Sequence, residues 1–411
     1  MKETKENHCI IADATALTHE SFREYLQSKA REALAQVVAE EVNRLCGPAY
    51  GRDTAGELYR AGSAPSYVML DGRRESFHRP RVRSKGAGGE QEVKLKSIGL
   101  AQDPAQWEET MMRAVLSGVS TRDMPLLRGE ELAGESRSCI SRLWKRKCTE
   151  LVLQMQQSDL SKMDLLVMVL DAVVLGKGQV ATVALGITSD GCKHVLGFRV
   201  GGSENKEVCR DLLVNLTGRG LHVPGNRRLL AVLDGSKALE GALMEHFPGA
   251  LVQRCLVHKE RNIKSYLPRK HWKELCQLFK HLRGSQGMEA GEEALSRIKH
   301  FLSDKNANAR NSLEEAGDSL LALFSLDLPN TLNKTLLSTN CIENLFKNLR
   351  RHIGRVCSWR NTDQADRWLS SGLSIAEAGF NRIQGYKDLW LLEQALQERT
   401  ASGEEEDPPS V

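Results

Sequence analysis

The sequence predicts a mixed α/β domain that is interrupted by an all-helical segment and preceded by a helical, basic region. Three observations predict it. The segments "LLVMVLDAVV", "QVATVALGIT" and "KHVLGFRVGG" are β-rich and separated only by "LGKG" and "SDGC", so they read as three consecutive antiparallel strands joined by tight turns. Helical and strand-like stretches then alternate as far as Cys255. From Lys259 to about Pro329 the chain is polar, rich in Lys, Glu and Leu, and has no strand signal.

At 411 residues the chain exceeds one typical domain, and 41% apolar residues suffice for real cores. The net charge of +4 averages a basic front section with the closing "GEEEDPPSV", so the local distribution carries the information. Ten cysteines lack the short paired spacings of a disulfide framework, and reduced thiols are expected. The N-terminus has no apolar core or small-residue cleavage site, so no secretory signal is expected. The most apolar run, "DLLVMVLDAVVL", is too short to span a bilayer and holds Asp171 in its middle, so the expectation is a soluble intracellular protein with no membrane partner.

Taken in order, "SFREYLQSKAREALAQVVAEEVNRLC" has helical spacing and is broken by Gly47-Pro48. In "LDGRRESFHRPRVRSKGAGG" six basic residues, among them Arg79, Arg81 and Arg83, face only Asp71 and Glu75, which predicts a basic arm or hairpin. Helical periodicity returns in "WEETMMRAVLSGVSTRDM" and, after a Gly-containing gap, in "ESRSCISRLWKRKCTEL". Ser138 is placed to cap a helix presenting Arg142, Lys145 and Arg146, as in the second helix of a helix-turn-helix; a solvated basic helix is the plainer alternative. After the meander, "ENKEVCRDLLVNLTGRG" is a helix closing on Gly220 and "RLLAVLD" a strand ending at Asp234. "GSKALEGALMEHFPG" is a helix stopped by Pro248-Gly249, and "ALVQRC" a short fifth strand.

Three antiparallel strands followed by helix, strand, helix and strand is the order of a ribonuclease-H-like α/β domain, with parallel strands after the meander. Beyond the helical insertion, "LLSTNCIENLFKNLRRHIGRVCSWRN" opens on Ser338-Thr339-Asn340 as capping candidates and continues as a helix. "QADRWLSSGLSIAEAGFNRI" adds another. The expected domains are 1–105, a helical region with the basic arm; 106–160, a helix-turn-helix-like region; and 161–258 with 336–375, the ribonuclease-H-like domain. An insertion at 259–335 and a C-terminal helix with acidic tail at 376–411 complete the chain.

In that order the strands ending near Asp171 and at Asp234 lie side by side and bring two carboxylates to one end of the sheet. Like charges so close repel unless cations sit between them. A pair of oxygen-ligated divalent ions resolves this and can clamp both oxygens of an in-line phosphoryl transfer. Glu343 is the candidate third carboxylate, followed on its helix by Lys347, Arg350 and Arg351, a basic stripe suited to phosphates. Singly, each has a duller reading as a turn aspartate or a helix-start glutamate.

These blocks resemble a known family. The stretch from "LDAVVLGKG" to "LTGRGL", then "AVLDGSKALEGALMEHFPGALVQRCLVHKERNI" and "STNCIENLFKNLRR", look like the three catalytic blocks of Mutator-like bacterial insertion-sequence transposases. Upstream, "AEEVNRL", "RAGSAPSYVMLDGRRESFHRPRVRS", "LSGVSTRDM" and "SRSCISRLWK" agree as well, so the likeness covers about residues 30 to 370.

The resemblance implies that Asp171, Asp234 and Glu343 form an Asp-Asp-Glu triad holding two Mg²⁺ ions, with Mn²⁺ a possible substitute. It implies a DNA transposase that cuts at the element's ends and transfers 3′-hydroxyl ends into target DNA. The implied partners are double-stranded DNA, as terminal inverted repeats and target, and further copies of the chain in a dimer or larger synaptic assembly. The implied location is the bacterial cytoplasm, at the nucleoid. A purely hydrolytic nuclease or a non-catalytic DNA-binding regulator of the same fold is the alternative. Arg79, Arg81, Arg83, Arg142, Lys145 and Arg146 are the candidates for gripping terminal repeats, and Lys347, Arg350 and Arg351 for holding DNA near the triad.

The family's Cys-x-x-His pair matches Cys255 and His258, for which a packing and hydrogen-bonding role is expected. His271 and Cys276 follow, so a four-ligand zinc site is a competing reading. A thiol nucleophile would need an exposed, low-pKa cysteine, and the preceding strand points to burial.

Overall fold

The protein was studied as a computed structural model, which describes residues 19–49, 57–70, 73–86, 89–103, 105–117, 119, 137–176, 178–203, 205–354, 356 and 358–401. These form two compact units that part between Trp144 and Lys145.

The first unit holds α1 (His19–Cys46), β1 (Leu58–Leu70), β2 (Arg73–Gly86), β3 (Gly89–Val93), α2 (Lys96–Ala101) and α3 (Ala105–Leu116). Helix α1 stops at Cys46 because Gly47 adopts φ +72, open to glycine at no steric cost, and Pro48 follows. The basic segment is strand β2, the middle of an antiparallel sheet ordered β1-β2-β3. Its arginines therefore meet acidic partners from β3. Arg79 and Arg81 both pair with Glu92, at 2.6 and 3.0 Å, and Arg83 pairs with Glu90 at 2.7 Å. Val38 and Val42 of α1 pack with Val82, Leu95 and Ile98. Glu41 accepts the first backbone amides of α2, Lys96 at 2.7 Å and Ser97 at 2.9 Å, donors that have no partner within their own helix.

Helix α4 (Arg137–Gln157) begins one residue before Ser138, which therefore lies inside the helix. The gap at 120–136, the side chains of Arg73, Arg74 and Lys85, and the acidic tail from 402 lie outside the described residues.

The second unit is built on β4 (Leu165–Gly176), β5 (Gln179–Thr188) and β6 (Lys193–Gly201), then α5 (Lys206–Gly218), β7 (Leu230–Leu233), α6 (Lys237–His246) and β8 (Leu251–Arg254). The three expected strands form the antiparallel meander, and β7 and β8 add in parallel, giving the order β6-β5-β4-β7-β8. Next come α7 (Leu256–Ser265), α8 (Trp272–Gly284), α9 (Gly287–Ser303), α10 (Ala307–Ala316) and α11 (Asn330–Leu336), with no strand among the described residues of this stretch. Helices α12 (Asn340–Ile353), α13 (Thr362–Ala378) and α14 (Leu389–Ala401) complete the described residues.

Strand side chains alternate between faces, and the two faces of this sheet bury different partners. One face sets Met168, Leu170, Ala231 and Leu233 against Leu212 and Leu216 of α5 and Leu239 and Leu243 of α6. The other sets Val169, Val173, Leu230 and Val232 into a core shared with α7 to α14, including Leu345, Leu349 and Leu373. At roughly 25 cal/mol per Å² of apolar area removed from water, these two cores hold the layers together. No described helix is long and apolar enough to cross a membrane.

Candidate active site

The alternation that builds the two cores also aims the carboxylates. Asp171 lies between Val169 and Val173 in β4, so it faces the side on which α12 packs. Asp234 follows Leu233 and continues the Leu230–Val232 row toward the same side. Parallel register pairs Leu170 with Leu233, which sets Asp171 and Asp234 next in line on neighbouring strands. Helix α12 buries Ile342, Leu345, Phe346 and Leu349 and leaves Glu343 in its first turn, at the edge of that packed stripe.

Each carboxylate has defined partners. Asp171 is buried and accepts from the Ala172 amide at 2.8 Å. Asp234 accepts from the Ser236 amide at 2.9 Å, folding the turn that leads into α6. Glu343 takes both guanidinium nitrogens of Arg261, at 2.6 and 3.2 Å, and lies 3.3 Å from Nε2 of His258. Burial pushes the Asp171 carboxyl up to about 7; the charge of His258 works against this, and those of Asp234 and Glu343 reinforce it. The three acidic groups thus share one electrostatic environment.

Cys255 and His258 form the floor of this environment. Cys255 is the N-cap of α7 and lies just before the helix; its Sγ accepts from the amides of His258 at 3.4 Å and Thr339 at 3.3 Å. Thr339 does not cap α12 with its side chain: its hydroxyl lies 3.5 Å from the thiol and 3.2 Å from Nδ1 of His258. The hydrogen bond to Cys255 lifts the His258 imidazole to about 9 against the effect of burial, with the nearby negative charges adding to the lift. Burial works to raise the Cys255 thiol, but the bonds from His258 and Thr339 outweigh it and leave the thiol below its ordinary value. The thiol is 1% exposed, which closes it to a substrate.

The four zinc candidates do not converge. His271 stands edge-on to Phe301, 6.2 Å between ring centroids, and Cys276 interacts with Glu260 and Lys264. Among the described residues, no group of three or more His, Cys, Asp or Glu is arranged to hold a metal ion. The all-oxygen set of Asp171, Asp234 and Glu343 suits a hard divalent cation by its chemistry, while Glu343 is engaged by cationic side chains.

Along α12, Lys347, Arg350 and Arg351 are exposed on the face that carries Glu343. Arg142, Lys145 and Arg146 are exposed on α4, and Arg79, Arg81 and Arg83 are half-buried in their pairs with Glu90 and Glu92. Sequence reasoning missed Arg261. It lies one turn beyond His258 on α7, so helical spacing from the Cys-x-x-His pair was the signal that pointed to it.

The description "Transposase, Mutator family" matches residues 1–379 of the chain. The chain belongs to that family. It is similar to the transposase for insertion sequence element ISRM5 of Rhizobium meliloti, with 28% identity over 88% of this chain and 89% of the relative. It is also similar to the transposase for insertion sequence element IS256 in transposon Tn4001 of Staphylococcus aureus, 29% identical over 64% of this chain and 68% of the relative. The transposase for insertion sequence element IS905 of Lactococcus lactis is 31% identical, over 46% of each chain. In this Mutator-family chain, the blocks that carry Asp171, Asp234, Cys255, His258 and Glu343 all lie within the matched residues.

Proposed function

We propose that the protein is a DNA transposase that works by metal-assisted phosphoryl transfer in a ribonuclease-H-like domain, cutting at the ends of its element and joining the freed 3′-hydroxyl ends to target DNA. The observation that supports this reading is that parallel register sets Asp171 and Asp234 next in line on neighbouring strands, with the charges of Asp234 and of Glu343 on α12 both acting on Asp171.

In this reading Asp171, Asp234 and Glu343 hold the divalent cations. When bound, a pair of Mg²⁺ or Mn²⁺ ions supplies positive charge at the attacking and leaving oxygens of the phosphate. The chain's own residues position the DNA. Lys347, Arg350 and Arg351 line the approach along α12 and grip phosphates. His258 orients the Glu343 carboxylate, while Arg261 occupies both its oxygens and gives way when a cation binds there. Burial keeps bulk water from the Asp171 carboxyl and strengthens its electrostatic interactions, while Asp234 and Glu343 stay accessible to the DNA. No covalent link to the protein is needed, so the buried Cys255 thiol supports the geometry and takes no part in bond making.

The DNA partners are the terminal inverted repeats and the target, and handling two ends at once calls for a dimer or larger assembly of the chain in the bacterial cytoplasm, at the nucleoid. The test is Mg²⁺-dependent cleavage and strand transfer on DNA carrying the inverted repeats that flank the coding region. Asp171→Asn, Asp234→Asn and Glu343→Gln are each expected to lower both steps by about 10³-fold or more while leaving DNA binding in place. Cleavage without joining would make the protein a hydrolytic nuclease, and binding without cleavage by the unaltered chain would make it a regulator.

A further inference from the structure

On the α6 side of Asp234 lies a cleft of about 590 Å³, within the size range of sites that take organic ligands. Its floor is cationic. The side chains of Arg254 and Lys259 are 8% and 6% exposed, and both reach Glu315 of α10, at 3.0 and 3.3 Å. Arg254 also donates to the carbonyl of Gly235, the residue next to Asp234, and its Nε is buried with no hydrogen-bond partner. Lys237, at the start of α6, adds a third cation at the rim. Among the described residues lining the cleft, these three cations meet one carboxylate, that of Glu315, which is itself exposed.

The rest of the rim carries a different chemistry. Asn262 on α7 and Tyr266, just past its end, line the cleft with Asn308 and Asn311 on α10, all of them exposed. Amide side chains both donate and accept, which suits the edge of a base, and an exposed tyrosine ring offers a stacking surface. A small inorganic anion would use the cations and leave the amides and the ring without purpose. An acidic peptide would use the cations but has no planar group for Tyr266.

We propose that this cleft takes one nucleotide of the DNA strand, drawn out of the duplex beside the phosphate that lies at Asp234. Its phosphate meets Lys237 and the Arg254–Lys259 floor, and its base lies between Tyr266 and the asparagines. This inference rests on the transposase reading above and extends it: the nucleotide's place in the cleft fixes which phosphate faces the carboxylates, because Gly235 joins the two sites directly. Extruding a base is a recognised way for a protein to reach one position in a duplex, and the pocket that receives it reads that base by its edge and its face.

The experiment uses the full chain carrying Asp234→Asn, so that cleavage does not confuse the signal. The probe is a duplex of the terminal repeat and its flank, with 2-aminopurine placed at each position around the end in turn. One position is expected to change its fluorescence by about threefold or more on binding, as its stacking partners change. Adding Tyr266→Ala or Asn311→Ala, both exposed positions, is expected to abolish that change, and Tyr266→Ala to weaken duplex affinity by anisotropy about fivefold or more, the worth of one stacked base. A probe series with no changed position, or a change that persists in both variants, overturns the proposal. Cleavage of the same duplex by the unaltered chain separates the two readings. If cleavage proceeds without a variant-sensitive signal, the cleft is a buried ion-pair cluster and the transposase reading stands. If the unaltered chain does not cleave, the reading beneath the proposal falls and the proposal with it.

Discussion

Arg261 and Glu343 meet across 82 residues of sequence in a two-pronged ion pair, with guanidinium nitrogens 2.6 and 3.2 Å from the two carboxylate oxygens. A planar guanidinium matches a carboxylate in this fork geometry, and an ammonium does not. The pair makes Arg261 a competitor of any cation that Glu343 is to bind. Arg261→Ala is therefore expected to lower the half-saturating Mg²⁺ concentration for DNA cleavage by about twofold to fivefold, the worth of one partly exposed ion pair. Stability should change by less than about 1 kcal/mol, since the arginine is largely exposed. Metal titrations of cleavage and of thermal unfolding check the two halves separately. An unchanged or raised metal requirement would show that Arg261 does not compete for Glu343.

Asp171 gives the metal-free protein a pH dependence whose sign follows from its burial. The folded state holds the proton up to about pH 7, whereas an ordinary aspartate releases it near 4. Across that window the folded state binds more protons than the unfolded one, so this group lowers stability as pH rises from about 4 to 7 and adds no further change above it. Asp171→Asn, which cannot ionise, is expected to be more stable than the unaltered chain at pH 8, by on the order of 2–4 kcal/mol, and nearly equal to it at pH 4. Urea unfolding in chelator at the two pH values measures this. Equal stabilities at pH 8 would refute it.

What the sequence made legible was local. The β-rich runs from Leu165 to Gly201 and the turns between them identified the meander, and the capping residue types at Ser338-Thr339-Asn340 marked the start of the helix that carries Glu343. Strand order then follows from chain connectivity, and it sets Asp171 and Asp234 side by side from the sequence alone.

The contacts that escaped the sequence are long-range. Thr339 fits a helix start by residue type, yet its hydroxyl is spent on Cys255 and His258, 84 and 81 residues away. Nothing in its neighbours signals that choice. The segment of Arg79, Arg81 and Arg83 reads as a basic arm or hairpin, and it forms hairpins; the pairing of its arginines escapes the sequence because Glu90 and Glu92 become neighbours only once a particular register is set. A basic composition is thus not the same as an available basic surface.

Thr339 is the joint between the Cys255–His258 pair and the helix that bears Glu343, so its hydroxyl can be tested apart from its bulk. Thr339→Val keeps the shape and removes the oxygen. Folding stability is expected to fall by about 1 kcal/mol, the net worth of a buried hydrogen bond. DNA cleavage should fall further than stability alone explains, because His258 loses the partner at Nδ1 that orients its ring toward Glu343. Denaturant titration and single-turnover cleavage, compared with Thr339→Ser, decide between a packing and an orienting role. Recovery of cleavage by the serine variant is the expected result.

Gly235 sits between Asp234 and Ser236 with φ +106, a backbone angle that residues with a side chain rarely adopt. A Cβ there would also come within 2.5 Å of the Arg254 guanidinium, whose buried position against the Gly235 carbonyl and Glu315 leaves little room to retreat. Gly235→Ala therefore combines backbone strain with displacement of the cleft's floor. It is expected to destabilise the second unit by more than about 1 kcal/mol. It should also weaken cleavage by tilting the turn that fixes Asp234 through its bond to the Ser236 amide. A control at Gly249, where an added Cβ meets nothing within 4 Å, should leave both properties nearly unchanged. Equal losses at the two glycines would mean that the Asp234 turn holds no special geometry, and unfolding curves with cleavage rates for both variants provide the comparison.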